Sequence, residues 1–129
     1  MTISYAEAGE LLADFALAYD TFDGDLIVSL FTPDAEYHED AFGPPMVGHN
    51  AIRAYWLTSA EEQDQVEFTI ERHLVSGDTI VAVWHLSYVV KVDDTRRRVS
   101  GVLWLDTRDG KIERLREWWA ERKTDPAGG

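Results

Sequence analysis

The sequence predicts an α+β domain in which three amino-terminal helices pack on the concave face of a curved antiparallel sheet. Apolar residues recur at helical spacing in the first half of the chain, whereas β-branched and aromatic runs separated by turn residues fill the second half. Helices that precede a strand meander pack together on one face of the sheet. Because long strands twist and curve, we expect a cone-shaped cavity between the two layers.

The first predicted helix begins at a capping box, in which Ser4 is the N-cap and Glu7 reaches back to it. Apolar residues then follow at the spacing of one buried helix face, and Gly24 is the expected end of the helix. These apolar residues are Ala8, Leu11, Leu12, Phe15, Ala18, Tyr19 and Phe22.

Two further helices flank a first strand. Asp25 is the expected cap of a short second helix, which has Phe31 on its inner face and is stopped by Pro33. Residues 35–40 are predicted to form a strand, and the paired prolines that follow predict a loop. The third helix is expected over residues 49–63.

The carboxy-terminal half predicts a meander of four long strands. Short turn sequences, including Asp109-Gly110, separate them and favour hairpins. The strands are expected over residues 66–75, 79–92, 96–107 and 111–121. We therefore expect one domain over residues 1–129, with an ordered core at about 4–121 and a loose tail from residue 124.

Composition limits the possible partners. The chain has 129 residues and a formal net charge of −12, which argues against nucleic acid and against anionic membrane surfaces. The absence of cysteine excludes disulfides and thiolate metal sites and fits a cytoplasmic location. Neither a secretory signal nor an apolar run of membrane-spanning length is visible in the sequence.

Several short motifs give the chain a family resemblance over about residues 5–121. They are Phe31-x-Pro33-Asp34-Ala35, Gly48-x-x-Ala51-Ile52, Val75-x-Gly77-Asp78, Asp109-Gly110-Lys111-Ile112 and Leu115-Arg116-Glu117-Trp118-Trp119. In their order and spacing they resemble the SnoaL-like family of the nuclear transport factor 2-like superfamily. The resemblance implies a cone-shaped fold with a small-molecule pocket, frequent dimerisation, and a range of activities that includes isomerases, dehydratases, hydrolases and cyclases.

The resemblance also allows a comparison with ketosteroid isomerases, which need an Asp base and an oxyanion hole of Tyr and protonated Asp. In that register Glu39 falls near the base, but Leu17 and Leu103 fall where the oxyanion-hole groups are needed. The comparison therefore argues against steroid isomerisation. A polyketide cyclase needs a single acidic group, a role that Glu39 or Glu117 would satisfy.

The same register implies which strand residues point into the cone. The residues expected on the concave face are Val83, His85, Ser87, Leu103, Leu105, Leu115, Glu117 and Trp119. His85 and Glu117 would then form an acid/base dyad, because a carboxylate beside an imidazole fixes its tautomer and raises its pKa. The alternative is that His85 and Glu117 are structural residues bonded to the backbone and to a neighbouring Arg. A single β-bulge would reverse this parity.

Other candidates lie around the predicted pocket mouth. Either Glu39 or His38 is expected to face inward, because adjacent strand residues point to opposite faces. Further ligand-contacting candidates are Tyr19, Tyr55, Trp56, Leu103 and Trp119. His38, Glu39, His85 and Glu117 could supply metal ligands, but they lack a spaced signature, so we expect neither a metal nor a cofactor.

Three tryptophans are predicted on the convex face, namely Trp84, Trp104 and Trp118. An exposed patch of this size predicts a homodimer that buries it.

Three functions remain open from the sequence. The first is a cofactor-independent acid/base enzyme of isomerase, cyclase, dehydratase or hydrolase type that acts on a small hydrophobic metabolite, with a Tyr19 or Tyr55 hydroxyl stabilising an oxyanion. The second is a non-catalytic binding protein for a small hydrophobic ligand, and the third is a dimeric interaction module. A charged dyad inside the cone favours the first two, because buried polar groups are costly in a plain core.

Overall fold

The protein is described here by a computed structural model that covers residues 2–124. This part of the chain contains three helices and six strands. In chain order they are α1 (Tyr5–Thr21), α2 (Gly24–Ser29), β1 (Phe31–His38), β2 (Met46–Val47), α3 (His49–Glu62), β3 (Gln63–Ser76), β4 (Thr79–Val90), β5 (Thr95–Arg108) and β6 (Lys111–Thr124).

The six strands form a single curved sheet in the order β2-β1-β6-β5-β4-β3. The predicted meander is confirmed, because β3, β4, β5 and β6 pair with one another antiparallel in sequence order. β1 pairs with β6 in parallel, so the last strand lies between the first strand and β5. The three helices lie on one face of this sheet, as the sequence predicts.

One apolar core joins the helices to the sheet. In the core Phe15 of α1 meets the edge of the Trp56 ring of α3, with ring centroids 5.9 Å apart. The largest fully buried side chains are Trp56, Tyr37, Phe15, Phe31, Leu12, Ile27, Ile52, Ile80, Leu103, Leu105, Ile112 and Leu115. Removing such side chains from water is the main source of stability in a domain of this size.

The start of α1 agrees with the predicted capping box. Ser4 Oγ accepts a hydrogen bond from the Glu7 amide, and the Glu7 carboxylate accepts one from the Ser4 amide, both at 3.0 Å. The predicted end at Gly24 is wrong, because Phe22 itself adopts the left-handed conformation and closes α1. Gly24 instead begins α2, and its N-cap is Asp23 rather than Asp25.

The segment after α2 also differs from the prediction. Phe31 belongs to β1 rather than to the inner face of the second helix, and Pro33 lies within the strand instead of stopping a helix. Between Phe31 and Glu36 the pairing with β6 shifts register. Such an irregularity accommodates a proline, because the missing amide leaves no ladder hydrogen bond broken.

The hairpin predicted at Asp109-Gly110 is present. Both residues have positive φ angles, 53° and 81°, which is the conformation that a tight two-residue hairpin turn requires. Thr124 ends β6, and the rest of the predicted tail, residues 125–129, lies outside the described part of the chain. No helix within residues 2–124 is both long and apolar enough to cross a membrane.

Candidate functional site

The inward face of β4 is the reverse of the expected one. Ile80, Ala82, Trp84 and Leu86 are buried in the core, so the odd-numbered residues of this strand point outward. Trp84 lies opposite Gly101 of β5. Because Gly101 has no side chain, its position leaves room for the indole ring inside the cone.

His85 therefore points away from the cone, and its predicted inward placement is wrong. Its Nδ1 lies 2.7 Å from Ser100 Oγ, and its Nε2 lies 2.7 Å from a carboxylate oxygen of Glu71. Both His85 and Glu71 are substantially exposed. The predicted dyad of His85 and Glu117 is consequently not formed, since the two side chains lie on opposite faces of the sheet.

A cavity of about 240 Å³ opens on the concave side, and we call it the main cavity. Residues from α1, α3 and four of the strands surround it, so it lies at the open end of the cone. Its lining residues are Tyr19, Glu39, Tyr55, Ser59, Glu62, Gln63, Trp84, Leu86, Tyr88, Val99, Glu117, Trp119 and Glu121.

Glu117 is the buried acidic group of this cavity. It lies on β6 opposite Leu103 of β5, and only 7% of its surface is exposed. Burial raises the pKa of its carboxyl to about 8, and the nearby Glu39 carboxylate adds to the increase. No described residue donates a hydrogen bond to the Glu117 carboxyl. At neutral pH this side chain therefore carries a proton that is available for transfer.

Glu39 follows the end of β1 and faces the same cavity as Glu117. Its position is fixed by Trp119, whose indole Nε1 donates a hydrogen bond to the Glu39 carbonyl oxygen at 3.2 Å. His38 points to the other face, where its Nε2 lies 2.8 Å from Glu36. Of the two alternatives at this strand end, Glu39 is the inward residue, and His38 is not part of the cavity.

Three tyrosines lie near Glu117, two of them on helices and one on β1. Burial raises the pKa of Tyr19, Tyr37 and Tyr55 well above the usual value, and the Glu117 carboxylate adds to each increase. Their hydroxyls therefore remain protonated hydrogen-bond donors at any physiological pH. Tyr19 and Tyr55 line the main cavity, whereas the hydroxyl of Tyr37 lies buried behind it without a hydrogen-bond partner.

The other predicted contact residues divide between the cavity and the core. Trp119 lines the main cavity and is 46% exposed at its mouth. Trp56 and Leu103 are 1% exposed and belong to the core rather than to the cavity lining. The Trp56 indole donates to the Ala18 carbonyl oxygen at 3.3 Å, which satisfies its polar atom without a ligand.

Sequence reasoning missed several residues of the site. Trp84 and Tyr88 of β4 were excluded by the reversed parity, and Glu62 lies at the end of α3 without a motif. The informative signal was Gly101, because a glycine inside a long strand often marks a close approach by a neighbouring group. A Cβ atom built there would lie 2.3 Å from the Trp118 carbonyl oxygen and 2.9 Å from atoms of Trp84 and Trp119.

The predicted metal-ligand candidates are not brought together. Glu39 and Glu117 share the main cavity, whereas His38 and His85 lie on the outer face of the sheet. Within residues 2–124, no group of three or more His, Asp and Glu side chains is arranged to hold a metal ion.

The convex face carries fewer tryptophans than expected. Trp84 is 3% exposed and lies in the core, so its predicted outer position is wrong for the parity reason given above. Trp104 and Trp118 remain on this face, 37% and 44% exposed. The Arg116 guanidinium lies 5.4 Å from the centre of each of their rings, and stacks as a cation between them.

The model of the SnoaL-like domain family matches residues 12–115. The chain belongs to this family. The match covers β1, α3 and the meander as far as the first residues of β6, and so confirms the resemblance seen in the sequence motifs. No curated protein matches the chain.

Solved structures share the fold at low sequence identity. A protein with a ketosteroid isomerase-like fold from Catenulispora acidiphila, solved with trimethylamine, has a TM-score of 0.78 and 22% identity over 84% of each chain. The epoxide hydrolase/cyclase-like enzyme SalBIII, from pyran ring formation in salinomycin, has a TM-score of 0.77 and 21% identity over 87% of this chain and 89% of its own. An NTF2-like protein from Burkholderia pseudomallei has a TM-score of 0.79 at 13% identity, over 92% of each chain. These similarities establish the nuclear transport factor 2-like fold.

Proposed function

We propose that the protein is a cofactor-independent acid/base enzyme that moves a proton on a small molecule bound in the main cavity. The observation that carries the proposal is the buried Glu117 carboxyl, whose pKa of about 8 lies near the working pH. Proton transfer is most effective when the catalytic pKa is close to the ambient pH. The absence of cysteine supports a cytoplasmic setting for this activity.

The neighbouring groups fit supporting roles. Tyr19 and Tyr55 present protonated hydroxyls to the same cavity, where they would stabilise negative charge that develops on a carbonyl oxygen. Glu39 would keep the Glu117 proton affinity high through its own negative charge. The acidic group and the tyrosine hydroxyls favour isomerisation, and SalBIII, a similar structure that is described as epoxide hydrolase/cyclase-like, favours cyclisation.

The test is deuterium exchange at carbon atoms next to a carbonyl group, followed by NMR in D₂O. Two probes of one shape are used, the neutral bicyclo[3.2.1]octan-3-one and its amine analogue tropinone, so that the charge of the substrate does not decide the outcome. We expect the wild type to accelerate exchange of at least one probe, and Glu117→Gln to lose about 10²- to 10⁴-fold of that acceleration. Glu113→Gln is the matched control, because Glu113 lies on the same strand as Glu117, pairs with Arg108 of β5 and does not line the cavity.

A second candidate function is a non-catalytic binding protein, which the ring-rich lining of the cavity favours. This function predicts that neither probe exchanges faster with the wild type than with Glu117→Gln, while both proteins still bind small molecules. That result would remove the enzyme proposal and retain the binding one.

We also propose that two copies associate through the convex face of the sheet. Trp104 and Trp118 support this proposal, because large aromatic side chains that remain partly exposed on a flat sheet face are typical of protein interfaces. An interaction role of this kind is compatible with either function of the cavity, which opens on the opposite side of the sheet.

A further inference from the structure

The polar lining of the main cavity has one sign of charge. Glu39, Glu62, Glu117 and Glu121 line it, and no Lys, Arg or His is among the described lining residues. Glu121 is partly compensated, since Arg97 Nη1 lies 3.5 Å from it. Glu39 and Glu62 have no cationic partner in the cavity lining, and Glu117 adds a further negative charge when it loses its proton. Such a site repels an anion and attracts a cation.

Glu117 is the residue of the acidic lining that is best placed to pair with a bound cation. Its side chain is more than nine-tenths buried, it lines the cavity, and no described residue donates a hydrogen bond to it. A buried carboxyl without a partner is uncommon, because burial removes its water without replacing the lost interactions. A ligand that carries a positive charge into the cavity would supply the missing partner.

Five aromatic rings complete the lining, from Tyr19, Tyr55, Trp84, Tyr88 and Trp119. Aromatic faces attract organic cations, and rings grouped around carboxylates are a recurrent way to bind amines and quaternary ammonium groups. The same rings also contact apolar substituents, so the ligand need not be small or strongly hydrated. A metal ion fits this lining poorly, because no three His, Asp or Glu side chains within residues 2–124 are arranged to hold one.

We propose that the main cavity binds an organic cation, namely an amine or quaternary ammonium group that carries apolar substituents. The inference rests on the proposed function only in placing substrate in the same cavity, and it names the class of that substrate. It adds a positive charge to the small hydrophobic metabolite expected from the sequence.

The affinity should depend on pH through Glu117. The titratable or charged groups around it are Tyr19, Tyr37, Glu39, Tyr55, Glu62, Tyr88, Arg97 and Glu121. The surrounding tyrosines have raised pKa values, so they remain protonated below pH 9. Protonated Glu117 offers no charge to a cation, whereas its carboxylate does. Cation affinity is therefore expected to rise between pH 6 and pH 9.

The experiment is isothermal titration calorimetry with three probes of nearly one shape. They are benzyltrimethylammonium (a fixed cation), 2,2-dimethyl-3-phenylpropan-1-ol (neutral) and 2,2-dimethyl-3-phenylpropanoate (an anion). At pH 9 we expect the cation to bind at least tenfold more tightly than the alcohol, and the anion to bind most weakly. Glu117→Gln should reduce the preference for the cation at least tenfold and abolish its pH dependence, whereas Glu113→Gln should retain both.

Equal or tighter binding of the alcohol by the wild type at pH 9 would overturn the inference. If Glu117→Gln does not fold, as judged by circular dichroism, Glu39→Gln provides the same comparison, with a smaller expected loss of cation preference. Failure here is separable from failure of the proposed function. Accelerated exchange of either ketone without any cation preference removes only this inference, whereas cation binding without accelerated exchange of either ketone removes only the enzyme.

Discussion

At the scale of single residues, the site depends on a carboxyl group that folding places in an unfavourable environment. Glu117 lies between a buried strand neighbour, Leu103, and the rings of the cavity, with Glu39 as its nearest carboxylate. Both burial and like charge favour the neutral form of the side chain. A residue kept in this state at the expense of stability is more typical of a working group than of a structural one.

The first prediction concerns the pH dependence of stability. The pKa of Glu117 rises from 4.5 in the unfolded chain to about 8 in the folded protein, so the folded state binds the extra proton between these values. Stability from this group is fully present below about pH 4.5 and is lost as pH rises through 8, with a slope of about 1.4 kcal/mol per pH unit. Glu117→Gln carries no such proton. Urea denaturation from pH 5 to pH 9 should therefore show the variant gaining stability relative to the wild type.

Glu113→Gln is the control for that series, because Glu113 is partly exposed and paired with Arg108. Its stability should stay parallel to that of the wild type at every pH. A constant difference between the wild type and Glu117→Gln across the range would show that Glu117 is ionised in the folded protein, contrary to the structure.

The second prediction concerns His85, which lies on the outer face with Glu71 and Ser100. His85→Ala should leave probe binding and deuterium exchange within twofold of the wild type, because the side chain does not reach the cavity. Its stability should fall by no more than about 1 kcal/mol, since the ion pair is exposed. Loss of exchange in this variant, measured under the same conditions as for Glu117→Gln, would place His85 in the mechanism after all.

At the scale of secondary structure elements, the sequence predicted what depends on local patterns and failed where tertiary packing decides. The capping box at Ser4, the Asp109-Gly110 hairpin and the strand meander follow from nearby residues alone, and all three are present. Which residues of β4 face inward does not follow from nearby residues alone, because both faces of this strand carry large side chains. Trp84 faces inward since Gly101 of the neighbouring strand leaves the space, and that pairing is not visible in either strand separately.

The candidate site was predicted only in part, again because tertiary packing decides which side chains face the cavity. Glu117, Glu39 and Trp119, which the resemblance suggested, line the cavity together with Tyr19 and Tyr55 from the helices, whereas His85 does not because its strand is reversed. The raised pKa of Glu117 depends on how completely side chains from several elements enclose it, which no periodicity in the sequence reports.

The third prediction tests the close approach at Gly101. Gly101→Ala would place a methyl group 2.3 Å from the Trp118 carbonyl oxygen, so the backbone of β6 or the two flanking indole rings must move. We expect a loss of stability of about 1 to 3 kcal/mol by denaturant unfolding, together with weaker binding of cavity probes. If Gly101→Ala changes neither stability nor affinity, the strands accommodate the added methyl group without any effect on the cavity, and the prediction is wrong. Ser100→Ala, one residue away on the outer face, is the matched control.

At the scale of the whole molecule, the two faces of the sheet have separate roles. The concave face and the helices enclose the acidic cavity, while the convex face presents Trp104 and Trp118 around Arg116. A surface of this kind is available to a second copy without obstructing the cavity.

The fourth prediction concerns that second copy. In sedimentation velocity at micromolar concentration we expect the wild type to move as a dimer and Trp118→Glu to move as a monomer, because a buried charge on the face would be left unpaired. Glu71→Gln, a change on the same side of the sheet away from the two rings, should remain dimeric. A monomeric wild type would end the dimer proposal and leave the cavity proposals unaffected.

The position of β6 has a consequence for how the protein is made. Tyr37 of β1 is aligned with Leu115 of β6, and β6 fills the gap between β1 and β5. Until β6 has been synthesised, the sheet remains split into two parts with open edges, because β1 and β5 both lack their common neighbour. Glu117 and Trp119 belong to β6, so the cavity forms only after this strand has been made. Until then, a nascent chain has neither its binding site nor a continuous sheet, and this interval is when it most needs protection from aggregation.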